Sequence, residues 1–454
     1  MEPIDMRETE TLYGKLCGLD FVPNHVLEIM EHLFHSGFDV WLVGGALRDF
    51  FSGQAPKDWD LATSASPSEI MRLFPRVIPV GIQHGTVRIH TAQGDIEVTT
   101  YGKPGREGIL ADLGRRDFTV NALALSYPEG RLLDPHGGSE DLRHHLLKTV
   151  GNARSRLNED PLRILRAGRF LGVYGYRIHP NVSAAVKDSL AGIDGIAVER
   201  IRDEMLKLIM GKHVEKAFEW MRRCGVLRKV LPELERECRR NRRSSCPFDA
   251  YRHTLYTVHN SPFRLRVRLA ALFHRLGQKT SVHGAGRREN RSLNSQASAH
   301  AAFAVMDRWR MPQQLIQDVM ILVRNHIPRN TLRWGGAQLR RLLAAVGPDL
   351  LEDLLDLAYA DRISGNCREK SLEELNRLRS RISVQMKSRP PLHIGDLALN
   401  GTDVMQALSL KPGPLVGEIL EQIHQWVLDE PGLNVRDVLI DRIQAKYGGI
   451  SQNK

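Results

Sequence analysis

The chain is poor in cysteine and has no long apolar run. Its five cysteines among 454 residues form no C-x-x-C pair, which argues against a disulfide framework or a structural zinc site. No apolar stretch approaches the roughly 18 residues that span a bilayer, so no membrane partner is expected. The first ten residues lack the basic start and apolar stretch of a signal peptide. We therefore expect a cytoplasmic protein whose thiols are free.

The length and the charge set further bounds. At about three times the usual domain length, the chain is expected to form about two to four globular units. Its content of 42% hydrophobic and 26% charged residues is that of a globular protein. Sixty-four Lys and Arg against 53 Asp and Glu give a formal charge of +11. This excess suits a protein that binds a polyanion, and it is equally typical of a solvated cationic face.

The sequence separates into a mixed first part and a helical remainder, which predicts an α+β fold. Four β-prone runs bounded by Gly, Pro or Asp are predicted strands of a small mixed sheet: residues 40–43, 59–62, 86–89 and 96–99. From Glu159 onward, apolar positions recur at helical spacing for almost the whole chain. Two stretches rich in Arg and Ser are predicted loops: residues 235–245 and 278–298.

A strand that runs into two glycines forms the first chemical motif, residues 42–49. Gly44 and Gly45 leave backbone amides uncovered where a triphosphate is able to sit. Arg48 follows at a position suited to clamp a phosphate oxygen. A double glycine alone is weak evidence, because many tight turns have the same sequence.

A pair of aspartates follows the glycines. Asp58 and Asp60 stand two residues apart where a strand is predicted to begin. In extended chain, residues i and i+2 share one face, so the two carboxylates suit a hard divalent ion such as Mg²⁺. Two like charges that close are costly without a cation between them. The alternative is one aspartate as a helix cap and the other solvated. Together with the glycines, the pair predicts a nucleotidyl-transfer site in which a 3′-hydroxyl displaces pyrophosphate.

The order of these motifs resembles the catalytic core of bacterial class II tRNA nucleotidyltransferases and the related bacterial poly(A) polymerases. Further blocks that resemble this family follow in matching order: residues 114–124, 133–142, 159–170 and 198–201. The resemblance implies a nucleotidyltransferase head, followed by an all-α neck, body and tail, and the tail is expected to bind tRNA. The implied boundaries are residues 20–150, 151–212, 213–330 and 331–454.

The block at residues 159–170 is also interpretable from its own chemistry. Asp160 begins a predicted helix in which Arg163, Arg166 and Arg169 step by three and share a broad face. An N-cap aspartate and helix-forming arginines explain part of this pattern. Three arginines on one face nevertheless repel one another unless an anion or a base edge lies against them. A carboxylate beside a guanidinium matches the edges of C and A and mismatches U and G.

By resemblance, Asp160 and Arg163 select CTP and ATP without a nucleic-acid template, and Arg116, Arg166 and Arg169 line the nucleotide pocket. The implied activity is Mg²⁺-dependent addition of CC, or of complete CCA, to the 3′ end of tRNA. Poly(A) addition to RNA is the alternative. Two segments are similar to the tRNA enzymes: residues 80–87 and 397–417. We therefore expect the tRNA acceptor arm as partner, and no DNA.

Two departures from the family pattern narrow the interpretation. Residues 101–114 are shorter than the loop of members that add all three nucleotides, which favours CC addition, although glycines there leave mobility for CCA. Residues 251–277 resemble an HD-type metal phosphohydrolase module, but Arg275 stands where that module has an aspartate. A guanidinium cannot bind a cation. We therefore predict a helical scaffold in which the histidines, including His300 and His326, are core or surface residues and not ligands.

Overall fold

The structure is a computed structural model that describes residues 18–56, 58–81, 85–102, 104–241, 250–277, 287–328, 331–365 and 368–448. The chain divides into two compact units, Met1–Lys229 and Val230–Lys454. Among the described residues, no helix is both long and apolar enough to cross a membrane. Cys224 is a buried free thiol, and the other four cysteine side chains lie outside what the structure describes.

A seven-stranded mixed sheet forms the centre of the first unit. Its strands are β1 (Val40–Val43), β2 (Asp60–Thr63), β3 (Val77–Gly81), β4 (Thr86–Thr91), β5 (Gly94–Thr100), β6 (Ala124–Ser126) and β7 (Leu132–Leu133). They lie in the order β3-β4-β5-β2-β1-β6-β7. The neighbours β2 and β5 are parallel, and the other neighbouring pairs are antiparallel. β1 begins and ends where the sequence predicts, and β2 is shifted by one residue.

Helices cover this sheet and continue beyond it. The helices of the first unit are α1 (Asn24–His35), α2 (Gly45–Phe51), α3 (Pro67–Leu73), α4 (Arg106–Arg115), α5 (Gly138–Arg143), α6 (Ala153–Glu159), α7 (Leu162–Tyr174), α8 (Pro180–Ser189), α9 (Val198–Ile209) and α10 (Val214–Cys224). One core joins α1 to the sheet, because Val26, Met30 and Leu33 are fully buried in the same cluster as Leu42 and Leu61. The helical part contains one small exception, a two-residue parallel pairing of β8 (Leu146–Leu147) with β9 (Arg177–Ile178).

Glycine contacts bring α7 close to α9 and α10. A Cβ at Gly172 would lie 3.3 Å from both the Ala217 Cβ and the Leu208 Cγ, and one at Gly211 would lie 2.2 Å from the Gly172 carbonyl oxygen. Only glycine, which has no Cβ, fits at these two positions. The contacts fix α7, which carries the predicted nucleotide-selecting residues, against the two helices that follow it.

The second unit is helical. After α11 (Val226–Val230), where the two units divide, its helices are α12 (Pro232–Asn241), α13 (Ala250–Asn260), α14 (Leu265–Phe273), α15 (Arg287–Arg308), α16 (Gln313–Arg324), α17 (Gly336–Val346), α18 (Pro348–Ile363), α19 (Arg368–Lys387), α20 (Gly401–Leu408), α21 (Pro414–Asp429) and α22 (Arg436–Tyr447). The last three helices share their own core, formed by Val404, Ile419, Ile423, Leu439 and Ile443. The predicted α+β class, with a mixed sheet followed by helices, is confirmed.

The prediction of loops at residues 235–245 and 278–298 was wrong for the parts that the structure describes. Residues 235–241 belong to α12, and residues 287–298 belong to α15. Arg308 at the end of α15 pairs with Glu233 of α12 at 2.7 Å. Such packing and pairing between helices distant in sequence stabilises segments that look too polar to form helices. Residues 242–249 and 278–286 lie outside the described residues.

Candidate active site

A cavity of about 910 Å³ in the first unit is lined by all ten residues predicted to form the site. They are Gly44, Gly45, Arg48, Asp58, Asp60, Arg116, Asp160, Arg163, Arg166 and Arg169. They come from the sheet, from α2 and from α7, and from the segments that precede these elements. Residues separated by more than a hundred positions in the sequence therefore face one space.

The glycine turn lies directly against the aspartates. Gly44 follows β1 with a φ of +77° and precedes α2, and a Cβ there would stand 3.0 Å from the Asp60 Oδ2 and 3.1 Å from the Arg116 Nη1. Glycine is required at this position by its backbone conformation and by the short approach. Arg116 is held in place by Asp112, whose Oδ2 accepts hydrogen bonds from its Nε and Nη2 at 3.2 and 3.1 Å. Gly45 begins α2 and lines the same cavity.

Three carboxylates lie near the first residue of β2. Asp60 is the first residue of β2, and Asp58 lies two residues earlier, outside the strand and exposed. Glu97 of the parallel neighbour β5 is the register partner of Asp60, so the two side chains lie on one face of the sheet. Burial is the main cause that raises the pKa of Asp60 from 3.8 to about 6, and Glu97 and Asp58 add to it. The nearby Arg116 and Arg48 lower this pKa without cancelling the increase. Carboxylates whose burial and mutual repulsion outweigh their cationic neighbours fit a hard divalent cation.

Acidic partners neutralise the arginines of α7. The Arg166 Nε donates to the Asp117 Oδ2 at 2.7 Å, and the Arg169 Nε pairs with the Glu204 Oε2 at 2.9 Å. Glu204 also lies 3.8 Å from the Arg166 Nη1. Although burial opposes the effect, Arg166 and Asn121 hold the pKa of the Asp117 carboxyl below its ordinary value. The arginines thus need no bound anion to coexist on one face.

Asp160 and Arg163 are partly engaged at the cavity wall. The Asp160 Oδ1 accepts a hydrogen bond from the Leu162 amide at 3.1 Å, which caps α7, and its Oδ2 pairs with the Arg200 Nη2 at 3.0 Å. Arg163 donates to the Glu159 carboxylate at 3.0 Å and to backbone carbonyls of residues 115 and 156 at 3.0 and 2.8 Å. The predicted pair of a carboxylate and a guanidinium is therefore present at the start of α7, and each member is oriented by neighbours.

Arg48 lines the cavity with a side chain that is almost fully buried. It is 8% exposed, and its Nη1, Nη2 and Nε donate to the Asn121 Oδ1, the Tyr174 hydroxyl and the Asp49 Oδ1 at 2.8 to 2.9 Å. Its guanidinium carbon also stands 4.7 Å from the centre of the Tyr174 ring. The predicted phosphate clamp remains a prediction, since these contacts hold the guanidinium to α7 and to the segment after α4.

The histidines of the HD-like segment lie in the second unit. His253 and His274 are buried, and His300 is exposed on α15. Burial lowers the pKa of His274 and lowers that of His326 to about 3. The part of the prediction that treated the buried histidines as core residues agrees with their burial, but their side chains converge on Asp361, which the sequence did not indicate.

Three protein-family models match the chain in order. They are the Poly A polymerase head domain over residues 40–148, the Probable RNA and SrmB- binding site of polymerase A over residues 175–238, and tRNA nucleotidyltransferase domain 2 over residues 292–443. The first match contains both aspartates and the glycine turn.

Whole-length relatives decide the family. The chain is 30% identical over 437 residues to the CCA-adding enzyme of Anoxybacillus flavithermus, covering 91% of this chain and 94% of that protein. The chain belongs to this family of tRNA nucleotidyltransferases. It is also 29% identical to the CC-adding tRNA nucleotidyltransferase of Halalkalibacterium halodurans, covering 90% of this chain and 94% of that protein. The crystal structure of the Bacillus stearothermophilus CCA-adding enzyme in complex with CTP has a TM-score of 0.69 and 27% identity, covering 93% of this chain and 97% of the other.

Two acidic residues of this nucleotidyltransferase site, Glu97 and Glu204, were missed by sequence reasoning. Glu97 interrupts the buried positions Ile96 and Val98 of β5, and an acidic residue between them was the available signal. Its approach to Asp60 depends on the parallel pairing of β2 with β5, which the sequence does not show. Glu204 of α9 was hidden in the same way, because its role as partner of α7 arises only from the packing of these helices.

Proposed function

We propose that this nucleotidyltransferase adds CC to the 3′ end of tRNA from CTP, with Mg²⁺ as cofactor and pyrophosphate as the second product. One observation carries the proposal: a carboxylate cluster and a row of arginines line the same cavity. That combination suits a nucleoside triphosphate, whose phosphates need cations and whose base needs fixed donors and acceptors. The full-length similarity to CCA-adding and CC-adding enzymes supplies tRNA as the substrate class.

The carboxylates form the predicted metal site. Asp58 and Asp60, with Glu97 beside them, would hold Mg²⁺, which when bound neutralises phosphate charge and activates the attacking 3′-hydroxyl. The chain itself supplies position. Because Gly44 has no side chain, the glycine turn, the Asp60 carboxylate and the Arg116 guanidinium approach one another closely. A phosphate that enters the cavity beside this turn would find the Arg116 guanidinium as a donor.

The start of α7 is the proposed base-selecting element. A carboxylate oxygen of Asp160 accepts a hydrogen bond from an exocyclic amine, and the guanidinium of Arg163 donates to the ring acceptor next to it, which together match C and A. Arg200 and Glu159 orient these two groups through the ion pairs described above. Arg166 and Arg169 would complete the pocket wall while remaining paired with their acidic partners.

We also propose that residues 331–454, which form the predicted tail, contact the tRNA. The support is that α20, α21 and α22 form a cluster with its own core, in a chain with an overall charge of +11. The boundaries at residues 150, 212 and 330 remain proposals of the same kind. A cytoplasmic location remains a prediction, to be tested by fractionation of cells that express the chain.

Complete CCA addition from CTP and ATP is the second candidate, because the Anoxybacillus relative bears that name. The segment at residues 101–114 favours CC addition. Most of it forms α4, which begins after Gly105 and is therefore an ordered helix. An ordered helix leaves less freedom for a pocket that must change from accepting C to accepting A. This segment was expected to be a short loop, and the structure corrects that expectation.

Defined tRNA transcripts test the proposal. Transcripts that end at the discriminator base, at C and at CC are incubated with Mg²⁺ and one nucleotide at a time. We expect CTP to extend the first two and ATP to leave the CC transcript unchanged. Efficient extension of the CC transcript by ATP would show that the activity is complete CCA addition and not CC addition. Long A tracts on arbitrary RNA would overturn the assignment of tRNA as the substrate.

Single substitutions test the metal site in the same assay. Asp58→Asn and Asp60→Asn should each lower turnover by at least roughly a hundredfold, since a charge stabiliser of the transition state is lost. Binding of tRNA, measured by filter retention, should be largely unchanged. Asp188→Asn is the matched control, because this aspartate is exposed on α8 in the same unit. Normal turnover in both site variants would refute the carboxylate assignment.

A further inference from the structure

Four side chains converge inside the second unit, and the proposed reaction uses none of them. They are His253 of α13, His274 just after α14, His326 just after α16, and Asp361 of α18. The His253 Nε2 stands 2.7 Å and the His274 Nε2 stands 3.6 Å from the Asp361 Oδ1, and the His326 Nε2 stands 3.9 Å from the Oδ2. Ligand atoms of His253, His274 and Asp361 all lie within 4.8 Å of one another.

Backbone carbonyls set which imidazole nitrogen faces the carboxylate. The His274 Nδ1 lies 2.7 Å from the Ala271 carbonyl oxygen and must donate its hydrogen there. The His253 Nδ1 lies 3.3 Å from the Ser364 carbonyl oxygen in the same relation. The other ring nitrogen of each histidine, Nε2, is thereby turned toward the carboxylate of Asp361. The His253 Nε2 shares a hydrogen bond with the Asp361 Oδ1, and a cation bound between these atoms would take the place of that hydrogen.

Two of these nitrogens are also buried without a hydrogen bond. The Nε2 atoms of His274 and His326 are inaccessible and lack such a partner among the described residues. Buried polar atoms are rarely left in this state. A histidine that donates one ring N–H to a carbonyl and presents the other nitrogen to a site is the usual arrangement around a bound metal ion.

We propose that these four side chains bind one divalent first-row transition-metal ion as a structural centre. Three imidazole nitrogens and one carboxylate oxygen suit an ion such as Zn²⁺ and do not suit Mg²⁺, which prefers oxygen ligands. With metal–ligand distances of about 2.0–2.2 Å, ligand atoms in a tetrahedral site lie roughly 3.3 Å apart. The observed separations of 2.7, 3.6 and 3.9 Å fall on both sides of that value. The ion would join α13, α14, α16 and α18.

The environment makes this a closed site without hydrolase activity. His253, His274 and Asp361 are at most 3% exposed, and four protein ligands leave no tetrahedral position for water. Arg275 follows His274 directly and cannot act as a fifth ligand. The site thus differs from the HD-type pattern in two ways: it has a third histidine in place of the missing aspartate, and it lacks an open position for a substrate.

The test uses the full-length chain carrying Asp58→Asn and Asp60→Asn, so that the proposed Mg²⁺ site does not contribute. The protein is stripped with a chelator and titrated with Zn²⁺, and separately with Co²⁺, whose absorption reports tetrahedral nitrogen and oxygen ligands. We expect uptake of about one ion per chain and a higher thermal midpoint when the ion is bound. Absence of uptake and of any midpoint shift in this folded protein would overturn the proposal without further variants.

Ligand substitutions locate the ion. His274→Gln and His326→Gln, added singly, should weaken binding by more than the roughly 10- to 100-fold that loss of an outer-shell partner costs. His300→Gln is the control, since that histidine is exposed on α15, and its affinity should equal that of the parent. His326 lies at the edge of the cluster, so its variant is the one better suited to retain the fold. Equal affinity in the His326 variant and the control would assign the ion to another place and refute the four-ligand set.

Discussion

At the scale of single residues, Asp60 links the stability of the first unit to pH. Burial, with Glu97 and Asp58, raises the pKa of Asp60 from 3.8 to about 6. Between these values the folded protein keeps a proton that the unfolded chain has lost. The contribution of Asp60 to the free energy of unfolding is therefore largest at low pH, and it decreases as the pH rises through the pKa of the folded state. In metal-free protein the loss is complete above that pKa and amounts to at most about 3 kcal/mol.

Asp60→Asn removes this titration, because the amide stays neutral. In buffer with a chelator, the variant should gain stability over the unmutated chain as the pH is raised from 4 to 8, measured by urea unfolding. The gain should shrink when Mg²⁺ is added, since only the carboxylate binds it. A difference between the two proteins that does not change with pH would contradict the raised pKa.

The partly exposed Arg166 pairs with the buried Asp117, and each side chain depends on the other for its stabilising effect. Arg166→Met should destabilise the fold by about 3 kcal/mol, because the Asp117 carboxylate is left without its cation. Asp117→Asn combined with Arg166→Met should cost less than the sum of the two single changes. Thermal or urea unfolding of all four proteins gives this coupling. Additive costs would show that Glu204 and Asn121 alone compensate the two charges.

At the scale of elements, the contact of α7 with α9 and α10 depends on glycine. Gly211→Ala should destabilise the first unit by roughly 1–3 kcal/mol, because the new methyl group would meet the backbone of Gly172 and force α7 to shift. Gly195→Ala is the control, since a Cβ there meets nothing within 4 Å. Urea unfolding compares the two. Equal stability of the variants would mean that the turn between α9 and α10 moves freely.

The sequence predicts elements well where the pattern is local. β1 matches its prediction, and β4 (Thr86–Thr91) contains the strand predicted at residues 86–89. The sequence predicts poorly where packing decides. In α4, three glycines suggested mobility, although the helix begins just after Gly105 and contains Gly108 as a buried residue. The ten predicted site residues do line one cavity. Their acidic partners were not predictable, because Glu97 and Glu204 reach the site through pairing and packing of elements far apart in the chain.

At the scale of the whole molecule, the charge of +11 should govern RNA affinity. Each phosphate that the protein neutralises adds about 0.9 to the slope of log affinity against log salt concentration. We expect tRNA binding to weaken steeply between low and moderate salt, with a slope of several units. Binding of CTP, with its few charges, should weaken far less. Fluorescence titrations at four salt concentrations measure both, and a flat tRNA curve would contradict a polyanion surface.

Hydrogen bonds and ion pairs run without a break from Arg48 through Asn121, Asp117, Arg166 and Glu204 to Arg169. The groups proposed to surround the nucleotide are thus also the groups that hold this part of the fold together. A substitution that changes the base preference also removes the partner of a neighbouring charged group. A second substitution must then compensate that charge. Such enzymes should evolve new specificity by paired substitutions across α7 and its neighbours, and slowly by single ones.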